Sequence, residues 1–307
     1  MSFLCTDLKT KNISLKAPAK INLSLDVLGK RKDGYHDLAM VMQTVGLCDN
    51  ITIDVTKKDK SHSASIRICA TGEVPPGFPL GDTNLAYRAA GMFFKETGSS
   101  MEDHFSKITI DKHIPMAAGL AGGSTDAAAV LLGLNSMLKD PLPMEKLLRM
   151  GATLGADIPF CIHRGTCLCE GIGDDITGLP ALPFCHIILA VPPIGISTKD
   201  VYEKFDHVKA PKGPDTVRMV KAISDGDLED ICHSLGNVLE YAVFPEHPII
   251  EGIRSELSSL GALGALMSGS GSCVFGIFDD EDKASLCLSM MREMHPDYSV
   301  NMTVPTE

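Results

Sequence analysis

The residues best suited to chemistry form a glycine-rich segment that runs from Pro115 to Thr125. It ends in two adjacent hydroxyl residues, Ser124 and Thr125, which follow glycines at positions 119, 122 and 123. Glycine lets the backbone approach a ligand closely, and the start of a helix offers unpaired N–H groups and a partial positive charge. Because the segment lies between a predicted strand and a predicted helix, it predicts a site that binds phosphate. The alternative is a tight turn alone, for which one or two glycines would suffice.

The segment matches neither of two common nucleotide-binding motifs. The chain contains no G-x-x-x-x-G-K-[ST], and the glycine spacing does not fit G-x-G-x-x-G. This excludes a P-loop and disfavours a dinucleotide site. A second glycine cluster, Ser268-Gly-Ser-Gly-Ser272, is equally consistent with a hairpin turn and with a ligand-binding loop.

Two charged residues have settings that leave their roles open. Asp157 lies in Gly155-Ala-Asp-Ile-Pro159, just past a predicted helix, where a carboxylate is either a capping group or a functional acid. Lys20 lies on the polar face of a strand in which apolar residues alternate from Ile13 to Val27. A lysine on a half-buried strand is usually a solvated residue.

Ten cysteines, and no apolar leader between Met1 and Lys11, predict free thiols in a reducing cytoplasm. The tightest group of possible metal ligands consists of Cys161, His163, Cys167 and Cys169. Their i, i+2 spacings place each pair on one face of a strand, whereas zinc sites use gaps of about two to four residues. A structural strand is therefore favoured over a metal site, and no metal ligand is assigned.

The overall composition excludes several classes of partner. Lys and Arg total 28 against 39 for Asp and Glu, so the net charge is −11, and the chain has no Trp. Binding to nucleic acid needs clustered cations and, for single strands, aromatic platforms. The longest apolar stretch, residues 184–196, contains two prolines and is shorter than the ~20 residues of a membrane span. We therefore expect small-molecule partners, and neither nucleic acid nor membrane.

Hydrophobic periodicity predicts an α+β chain with two domains, at residues 1–180 and 181–307. In the first domain, alternating strands precede a helix that is predicted from Asp126 to Leu138, directly after the glycine-rich segment. In the second, strands and helices follow in the order βαββαβ once additional helices are set aside. That order is typical of a ferredoxin-like sandwich.

Taken together, these segments resemble the GHMP kinase superfamily of small-molecule kinases. The superfamily motif Pro-x-x-x-Gly-Leu-x-x-[Gly/Ser]-Ser is matched by Pro115 through Ser124. The match extends in family order through Ala17-Pro-Ala-Lys-Ile-Asn-Leu23, Gly29-Lys-Arg-Lys-Asp-Gly-Tyr-His36, Gly155-Ala-Asp-Ile-Pro-Phe160, Glu170-Gly-Ile-Gly173 and Met267-Ser-Gly-Ser-Gly-Ser-Cys273. The Gly-Tyr-His element is similar to that of the branch that phosphorylates the 2-hydroxyl of a cytidine diphosphate polyol, in the non-mevalonate route to isoprenoid precursors.

The resemblance implies a fold and a set of roles. The fold is the two-domain GHMP kinase fold, with an N-terminal domain like domain 2 of ribosomal protein S5 and a C-terminal ferredoxin-like domain. Lys20 and Asp157 match the catalytic pair of the family. The matching substrate-binding residues, with cytosine stacked between the two tyrosines, are Asn22, Tyr35, His36, Thr198 and Tyr202.

The resemblance also implies ATP as phosphoryl donor, with Mg²⁺. The matching ATP-binding residues are Asn84, Lys112, Pro115, Met116, Ala117, Ala118, Gly119, Leu120, Ala121, Gly122, Gly123, Ser124 and Thr125. The family loop is often richer in glycine, and three alanines (117, 118 and 121) replace possible glycines here. Because alanine tolerates positive φ poorly, we expect ordinary backbone angles at all three.

Three other functions remain as alternatives. The first is another kinase of the superfamily, acting on homoserine or mevalonate. The second is a non-catalytic ligand sensor with the same fold, which should have lost Lys20 and Asp157. The third is a zinc-binding interaction module around Cys161–Cys169. For the kinase, we expect a monomer or a homodimer in the cytoplasm.

Overall fold

The computed structural model describes residues 11–57, 65–98, 104–139 and 141–307. The chain forms two compact units, each assembled from separate pieces of the sequence. The first unit comprises Met1–Ala17, Cys48–Ile114 and Gly122–Ile162, and the second comprises Pro18–Leu47, Pro115–Ala121 and His163–Glu307. The domain boundary near residue 180 remains a prediction from the sequence.

Eleven strands and ten helices lie within the described residues. Up to residue 180 they are β1 (Lys11–Lys30), β2 (His36–Lys57), β3 (Ile66–Gly72), α1 (Leu85–Glu96), β4 (His104–Lys112), α2 (Gly122–Met137), α3 (Met144–Leu154), α4 (Ile158–His163), β5 (Thr166–Gly171) and β6 (Asp175–Gly178). After it they are β7 (His186–Val191), α5 (Thr198–Phe205), α6 (Thr216–Asp225), α7 (Leu228–His233), β8 (Gly236–Asn237), α8 (Glu240–Val243), α9 (Pro248–Ser259), β9 (Gly264–Met267), β10 (Val274–Phe278), α10 (Glu281–Met294) and β11 (Ser299–Thr303). No described helix combines the length and the apolar character needed to cross a membrane.

Seven strands form the first sheet. Its main path runs β3-β4-β2-β1-β8, and in addition β5 pairs with β2 and β6 with β5. β4 pairs antiparallel with β2 and parallel with β3. Ile108 of β4 therefore lies opposite Ile53 on one side and Ile68 on the other, and all three side chains are buried. These isoleucines, which alternate with other residues along their strands, form part of the core of the first unit.

β1 differs from the predicted strand with one buried face. Over residues 19–25 both faces are buried, including the polar side chains of Lys20, Asn22 and Ser24. Polar groups buried in this way need hydrogen-bond partners within the protein, and the Ser24 hydroxyl accepts a hydrogen bond from Val41 N at 3.2 Å. The interpretation of Lys20 as a solvated lysine is therefore wrong.

α2 begins at Gly122, earlier than the predicted start at Asp126. Gly122 and Gly123 therefore belong to the first helical turn and not to a preceding loop. Further along the helix, a Cβ at Gly133 would lie 2.7 Å from Leu15 Cδ1 and 2.8 Å from Ile53 Cδ1. Since real Cβ atoms do not approach other atoms so closely, glycine at this position lets α2 pack against β1 and β2.

The second sheet confirms the ferredoxin-like prediction. Its strand order is β11-β7-β10-β9, and all three pairings are antiparallel. α9 and α10 pack against this sheet. The series β7, α9, β9, β10, α10 and β11 gives the predicted order βαββαβ. β8 lies outside this sheet and pairs parallel with β1.

The last residues of the chain return to β2. Gly46 N donates a hydrogen bond to the Val304 carbonyl oxygen at 3.0 Å, and Thr306 N donates to the Thr44 carbonyl oxygen at 2.9 Å. Gln43 Nε2 also donates to the Thr306 carbonyl oxygen at 3.0 Å. The second unit thus joins an early segment of the chain to its end.

Replacing Ile108 by alanine tests the assignment of β4 to the core. Because Ile108 is fully buried between two strands, Ile108→Ala should lower the free energy of unfolding by about 2–5 kcal/mol. Thermal or urea unfolding measures the change. The exposed neighbour provides the control: Lys107→Ala should change stability by no more than about 0.5 kcal/mol. Equal effects of the two substitutions would contradict the assignment.

Candidate active site

Two loops of the second unit are held together by hydrogen bonds. One is residues 115–121, and the other is the glycine–serine loop, Ser268–Ser272, which connects β9 to β10. The Ser268 hydroxyl donates to the Gly119 carbonyl oxygen at 3.0 Å. Cys273 N donates to the Ala118 carbonyl oxygen, also at 3.0 Å. The glycine–serine loop is therefore both a hairpin connection and a support for the glycine-rich segment.

Gly119 is required where the two loops meet. Its φ is +76°, and a Cβ at this position would overlap the Ser268 carbonyl oxygen. Serine hydroxyls in the glycine–serine loop are buried at Ser268, Ser270 and Ser272. The close approach of the two backbones thus depends on the missing side chain of Gly119.

The expectation of ordinary backbone angles at the three alanines is wrong for two of them. Ala117 has a φ of +52° and Ala121 a φ of +58°, whereas Ala118 is not among the residues with positive φ. A left-handed backbone costs an L-residue with a Cβ roughly 1–2 kcal/mol. Such strain persists only where the surrounding structure imposes it, and it is concentrated at functional sites.

Lys112, the last residue of β4, forms a buried cluster with two carboxylates of the first unit, one of which lies in the second turn of α2. Its ammonium donates to Asp49, and to Asp126 Oδ2 at 3.1 Å. Asp49 Oδ1 also accepts hydrogen bonds from His113 N at 2.6 Å and Ile114 N at 2.9 Å. These contacts tie the end of β4 to α2. The ATP-binding role that the family pattern implies for Lys112 remains a prediction, and its charge is already compensated within the protein.

Asp126 has a strongly perturbed acidity. Burial raises the pKa of Asp126 to about 8, Lys112 opposes the shift, and the charge of Asp49 adds to it. Asp126 Oδ1 is buried and has no hydrogen-bond partner in the described part of the chain. One lysine therefore serves two carboxylates, and burial favours the protonated form of Asp126.

Lys20 lies against the glycine–serine loop in the second unit. Its side chain is 4% exposed, and Nζ donates to Asn22 Oδ1 at 2.6 Å. A Cβ at Gly269 would lie 3.2 Å from this Nζ. Across residues 11–57, 65–98, 104–139 and 141–307, no carboxylate forms an ion pair with Lys20. A buried ammonium without a counterion is suited to bind an anionic ligand.

The partner of Lys20 is itself fixed by the same loop. Asn22 is 1% exposed, and its backbone N donates to the Ser268 hydroxyl at 3.3 Å. Lys20 N likewise donates to the Leu120 carbonyl oxygen at 3.2 Å. The predicted residues Lys20 and Asn22 are therefore brought together with both glycine-containing segments of the second unit.

Asp157 lies in the first unit, in the turn between α3 and α4. Its carbonyl oxygen accepts from Cys161 N at 3.0 Å, so its backbone opens α4. Its side chain is partly exposed, and no hydrogen bond or ion pair to the carboxylate exists among the residues that the structure describes. The carboxylate is therefore not used as a cap.

Two of the predicted substrate residues, His36 and Tyr202, are in contact in the second unit. The His36 and Tyr202 rings are stacked, with centroids 5.0 Å apart and planes at 26°. His36 Nε2 lies 2.7 Å from Asp206 Oδ1. Tyr35, the residue before His36, is 61% exposed. Two of the predicted side chains are thus in contact, and Tyr35 presents its ring to solvent.

Two further predicted residues already have partners. Thr198 Oγ1 lies 2.8 Å from Ser270 Oγ, which connects α5 to the glycine–serine loop. Asn84 caps α1, because its Oδ1 accepts from Ala86 N at 2.8 Å and its Nδ2 donates to the Pro79 carbonyl oxygen at 2.8 Å. Both polar atoms of the Asn84 side chain are therefore engaged, and its contact with ATP remains a prediction.

Sequence reasoning missed three residues that hold these groups in place. Asp206 binds His36. Asn237 Nδ2 donates to the carbonyl oxygens of Met267 and Gly269, each at 2.8 Å, and Glu240 Oε1 accepts from Met267 N at 3.0 Å. All three act on residues far away in the sequence, so no local pattern indicates them.

The prediction that both cysteine-containing pairs lie on strands is correct for only one pair. Cys161 and His163 belong to α4, whereas Cys167 and Cys169 belong to β5. Cys167 Sγ lies 3.2 Å from His163 Nδ1, and burial raises the pKa of the Cys167 thiol to about 11. In the described residues, no group of three or more His, Cys, Asp or Glu side chains is arranged to hold a metal ion.

Comparisons with known proteins show the family to which the chain belongs. Residues 84–165 match the family described as GHMP kinases N terminal domain, and residues 219–297 match GHMP kinases C terminal. The chain is 44% identical to the 4-diphosphocytidyl-2-C-methyl-D-erythritol kinase of Lachnospira eligens over 284 residues, 92% of this chain and 94% of that protein. It is 43% identical over 294 residues to the protein of that name from Clostridium botulinum (strain Eklund 17B / Type B), covering 95% and 100% of the two chains.

Solved structures give the same result. A crystal structure of 4-(cytidine 5'-diphospho)-2C-methyl-D-erythritol kinase superposes with a TM-score of 0.77 at 29% identity, over 96% of this chain and 100% of that one. A homoserine kinase from Cytophaga hutchinsonii superposes with a TM-score of 0.76 at 18% identity, over 99% and 97% of the chains. At that identity the second structure shows the fold alone.

The buried carboxylate of Asp126 generates a pH-dependent prediction. The pKa is raised from 3.8 to about 8 in the folded state, so the stabilisation due to this group is present below about pH 4 and is lost as the pH rises to about 8. Asp126→Asn removes this loss. The midpoint of thermal unfolding of the variant, relative to the unchanged protein, should therefore rise between pH 5 and about pH 8 and then level off.

The control is the other carboxylate of the cluster. Asp49 accepts from two backbone N–H groups as well as from Lys112, so Asp49→Asn should destabilise the protein at every pH. A difference between Asp126→Asn and the unchanged protein that stays constant from pH 5 to pH 9 would rule out the raised pKa.

Proposed function

Because the chain belongs to the 4-diphosphocytidyl-2-C-methyl-D-erythritol kinases of the GHMP superfamily, we propose that it transfers the γ-phosphoryl group of ATP to the 2-hydroxyl of 4-diphosphocytidyl-2-C-methyl-D-erythritol. This reaction belongs to the non-mevalonate route to isoprenoid precursors. The relatives of that name match over nine tenths of the chain, which is more than a shared nucleotide-binding segment would give.

The observation that carries the proposal is the setting of Lys20. Its ammonium is buried, bonds to the neutral Asn22 amide, and lies against the glycine–serine loop. Phosphoryl transfer needs charge stabilisation on the transferred oxygens more than it needs covalent chemistry. A fixed cation in a poorly hydrated setting, not neutralised by a carboxylate, supplies that stabilisation.

The glycine-rich segment is proposed to hold the ATP phosphates. Residues 115–121 present backbone beside the glycine–serine loop, and α2 begins at Gly122. The first N–H groups of a helix have no partner within it and carry partial positive charge. Anions bind at such positions without any lysine or arginine, so the net charge of −11 does not oppose a mononucleotide.

Mg²⁺ is proposed to enter with the nucleotide. This ion takes oxygen ligands, commonly one or two protein groups together with substrate phosphates. The buried Thr125 hydroxyl in the first turn of α2 has no hydrogen-bond partner in the described residues, and the Asp157 carboxylate is likewise unengaged there. Hydroxyl and carboxylate oxygens are the kind of ligand that Mg²⁺ prefers, so these two groups would be able to hold the ion. When bound, Mg²⁺ supplies neutralising charge at the β- and γ-phosphates.

Asp157 is proposed to orient the acceptor hydroxyl. A carboxylate is too weak a base to deprotonate an alcohol fully before the phosphoryl group is transferred. Its contribution is therefore to hold the hydroxyl in line with the phosphoryl group and to accept the proton as the new P–O bond forms. The absence of a capping role for its side chain in the described residues supports this assignment.

Cytosine is proposed to stack between the rings of Tyr35 and Tyr202, with the edge of the His36 ring beside it. His36 and Tyr202 are already in contact, and Tyr35 offers an exposed ring on the residue next to His36. Stacking on such rings binds a pyrimidine with little loss of side-chain entropy. Thr198, which contacts the glycine–serine loop through Ser270, is proposed to bind the same substrate.

The compartment is proposed to be the cytoplasm. No disulfide joins the nine described cysteines, and burial raises the pKa of several thiols, including those of Cys185 and Cys273, to about 12. Thiols in this state suit a reducing environment. The proposed partners are small molecules only, and the enzyme acts as a monomer or a homodimer.

Release of ADP in the presence of different alcohols tests the proposed reaction. We expect release with ATP, Mg²⁺ and 4-diphosphocytidyl-2-C-methyl-D-erythritol, and background rates with homoserine or mevalonate. Lys20→Met tests whether the charge of Lys20 is needed, since it keeps the length of the side chain and removes the charge. This variant should abolish ADP release. Release with homoserine or mevalonate alone would replace the proposal with another kinase of the superfamily.

Asp157→Asn tests the proposed positioning of the hydroxyl. The substitution should lower kcat about 10²–10⁴-fold, because an amide cannot accept the proton, while the KM for the cytidine substrate stays within about twofold. Steady-state kinetics separates the two parameters. Asp282→Asn, at an exposed position in α10, should leave both unchanged. Near-normal turnover of Asp157→Asn would remove this residue from the mechanism.

A further inference from the structure

Four side chains of the second unit meet beside the turn that joins β1 to β2. Lys30 ends β1, His36 begins β2, Tyr202 lies in α5, and Asp206 immediately follows α5. The Asp206 carboxylate is shared: Oδ1 lies 2.7 Å from His36 Nε2, and Oδ2 accepts from Lys30 Nζ at 2.5 Å. His36 in turn stacks on Tyr202. Asp206 therefore joins the end of α5 to His36, whose ring stacks on Tyr202 of the same helix.

The position of Asp206 is unfavourable for an acid unless it has a partner. The carboxyl end of a helix carries partial negative charge, which repels a carboxylate. The hydrogen bonds from Lys30, first, and from His36 lower the pKa of Asp206 below its usual value. The group is therefore ionised at neutral pH and can only accept hydrogen bonds.

An acceptor-only partner determines which nitrogen of His36 carries hydrogen. Because the Asp206 carboxylate accepts, Nε2 must carry hydrogen, and in the Nε2–H tautomer the lone pair lies at Nδ1. The His36 side chain is 9% exposed, and within the described residues its Nδ1 makes no hydrogen bond. The ring edge thus offers one acceptor whose orientation is fixed by Asp206.

A fixed acceptor distinguishes between the two common pyrimidine bases. Cytosine carries an amino group at C4, which donates a hydrogen bond, whereas uracil carries an oxygen there, which accepts. An acceptor aimed at this position pairs with cytosine and leaves uracil with two opposed lone pairs. The stacked ring of Tyr202 contributes affinity for either base and no such selection.

We propose that Asp206 is a positioning residue that selects cytosine over uracil, by holding His36 in the Nε2–H form flat against Tyr202. This inference rests on the proposed function, because it takes the cytidine diphosphate group as the ligand of the cluster. Asp206 itself touches neither the base nor the reacting atoms. It acts through the orientation and the hydrogen of the His36 ring.

Asp206→Asn tests the proposal, because an amide can present either a donor or an acceptor to Nε2. Calorimetric titration with cytidine diphosphate and with uridine diphosphate should show about tenfold weaker cytidine binding and a cytidine-to-uridine ratio that falls towards one. In turnover, the KM for the cytidine substrate should rise by a similar factor, while kcat and the KM for ATP stay unchanged. Asp206→Glu, which keeps the carboxylate, should recover part of the selection.

A spectroscopic measurement separates positioning from general damage. Nitrogen spectra of the histidine side chains in the folded protein report which ring nitrogen of His36 carries hydrogen. We expect the Nε2–H form in the unchanged protein and a mixture in Asp206→Asn. Glu203→Gln is the control, because it makes the same acid-to-amide change on α5 at a side chain that is 62% exposed. It should alter neither the spectrum nor the binding ratio.

The outcomes distinguish this proposal from the proposed function. If the unchanged protein prefers cytidine diphosphate and Asp206→Asn keeps the same preference, the role of Asp206 is overturned and the kinase assignment stands. A His36 spectrum that is identical in both proteins overturns it as well. If the unchanged protein binds neither diphosphate, the proposed function fails and this inference fails with it.

Discussion

The charge of a lysine ammonium that is removed from water must be compensated by other groups. Much of the candidate site follows from how this chain treats two buried lysines, Lys112 and Lys20. The charge of Lys112 is compensated within the protein by Asp49, and its hydrogen bonds to Asp49 and Asp126 tie β4 to α2. Lys20 donates to the Asn22 amide and lies against the glycine–serine loop, and no carboxylate pairs with it in the described residues. The first arrangement is complete without a ligand. The second leaves a cation whose charge is suited to phosphate oxygens.

Two loops beside Lys20 contain strained or closely packed backbone. Ala117 and Ala121 have left-handed backbones, and Gly119 approaches the Ser268 carbonyl oxygen more closely than any side chain would allow. The Ser268 hydroxyl holds this geometry by binding Gly119. Because the backbone of residues 115–121 is fixed in advance, a phosphate group would meet N–H groups that need little rearrangement on binding.

Local patterns in the sequence predict the elements well. The alternating isoleucines of β2 and β4 indicate their strands, and the order βαββαβ indicates the second sheet, since both depend on periodicities of a few residues. The burial of Lys20 is missed because alternation shows one apolar face and says nothing about what covers the other. The partners of Lys112 and His36 are missed for a related reason: Asp49 and Asp206 lie 63 and 170 residues away. The positive φ values of Ala117 and Ala121 are missed because contacts between loops impose them, and the residue types alone do not indicate such contacts.

The way each unit is assembled from separated pieces has a consequence for biosynthesis. Residues 18–47 belong to the second unit, and their hydrogen bonds at Thr44 and Gly46 are made with the last residues of the chain. A ribosome adds about 5–20 residues per second, so this early segment emerges tens of seconds before its final partners exist. During that interval the segment exposes apolar strand residues such as Val41 and Val45, which are fully buried in the finished protein. Nascent chains of this enzyme should therefore depend on chaperones that shield the segment until translation ends.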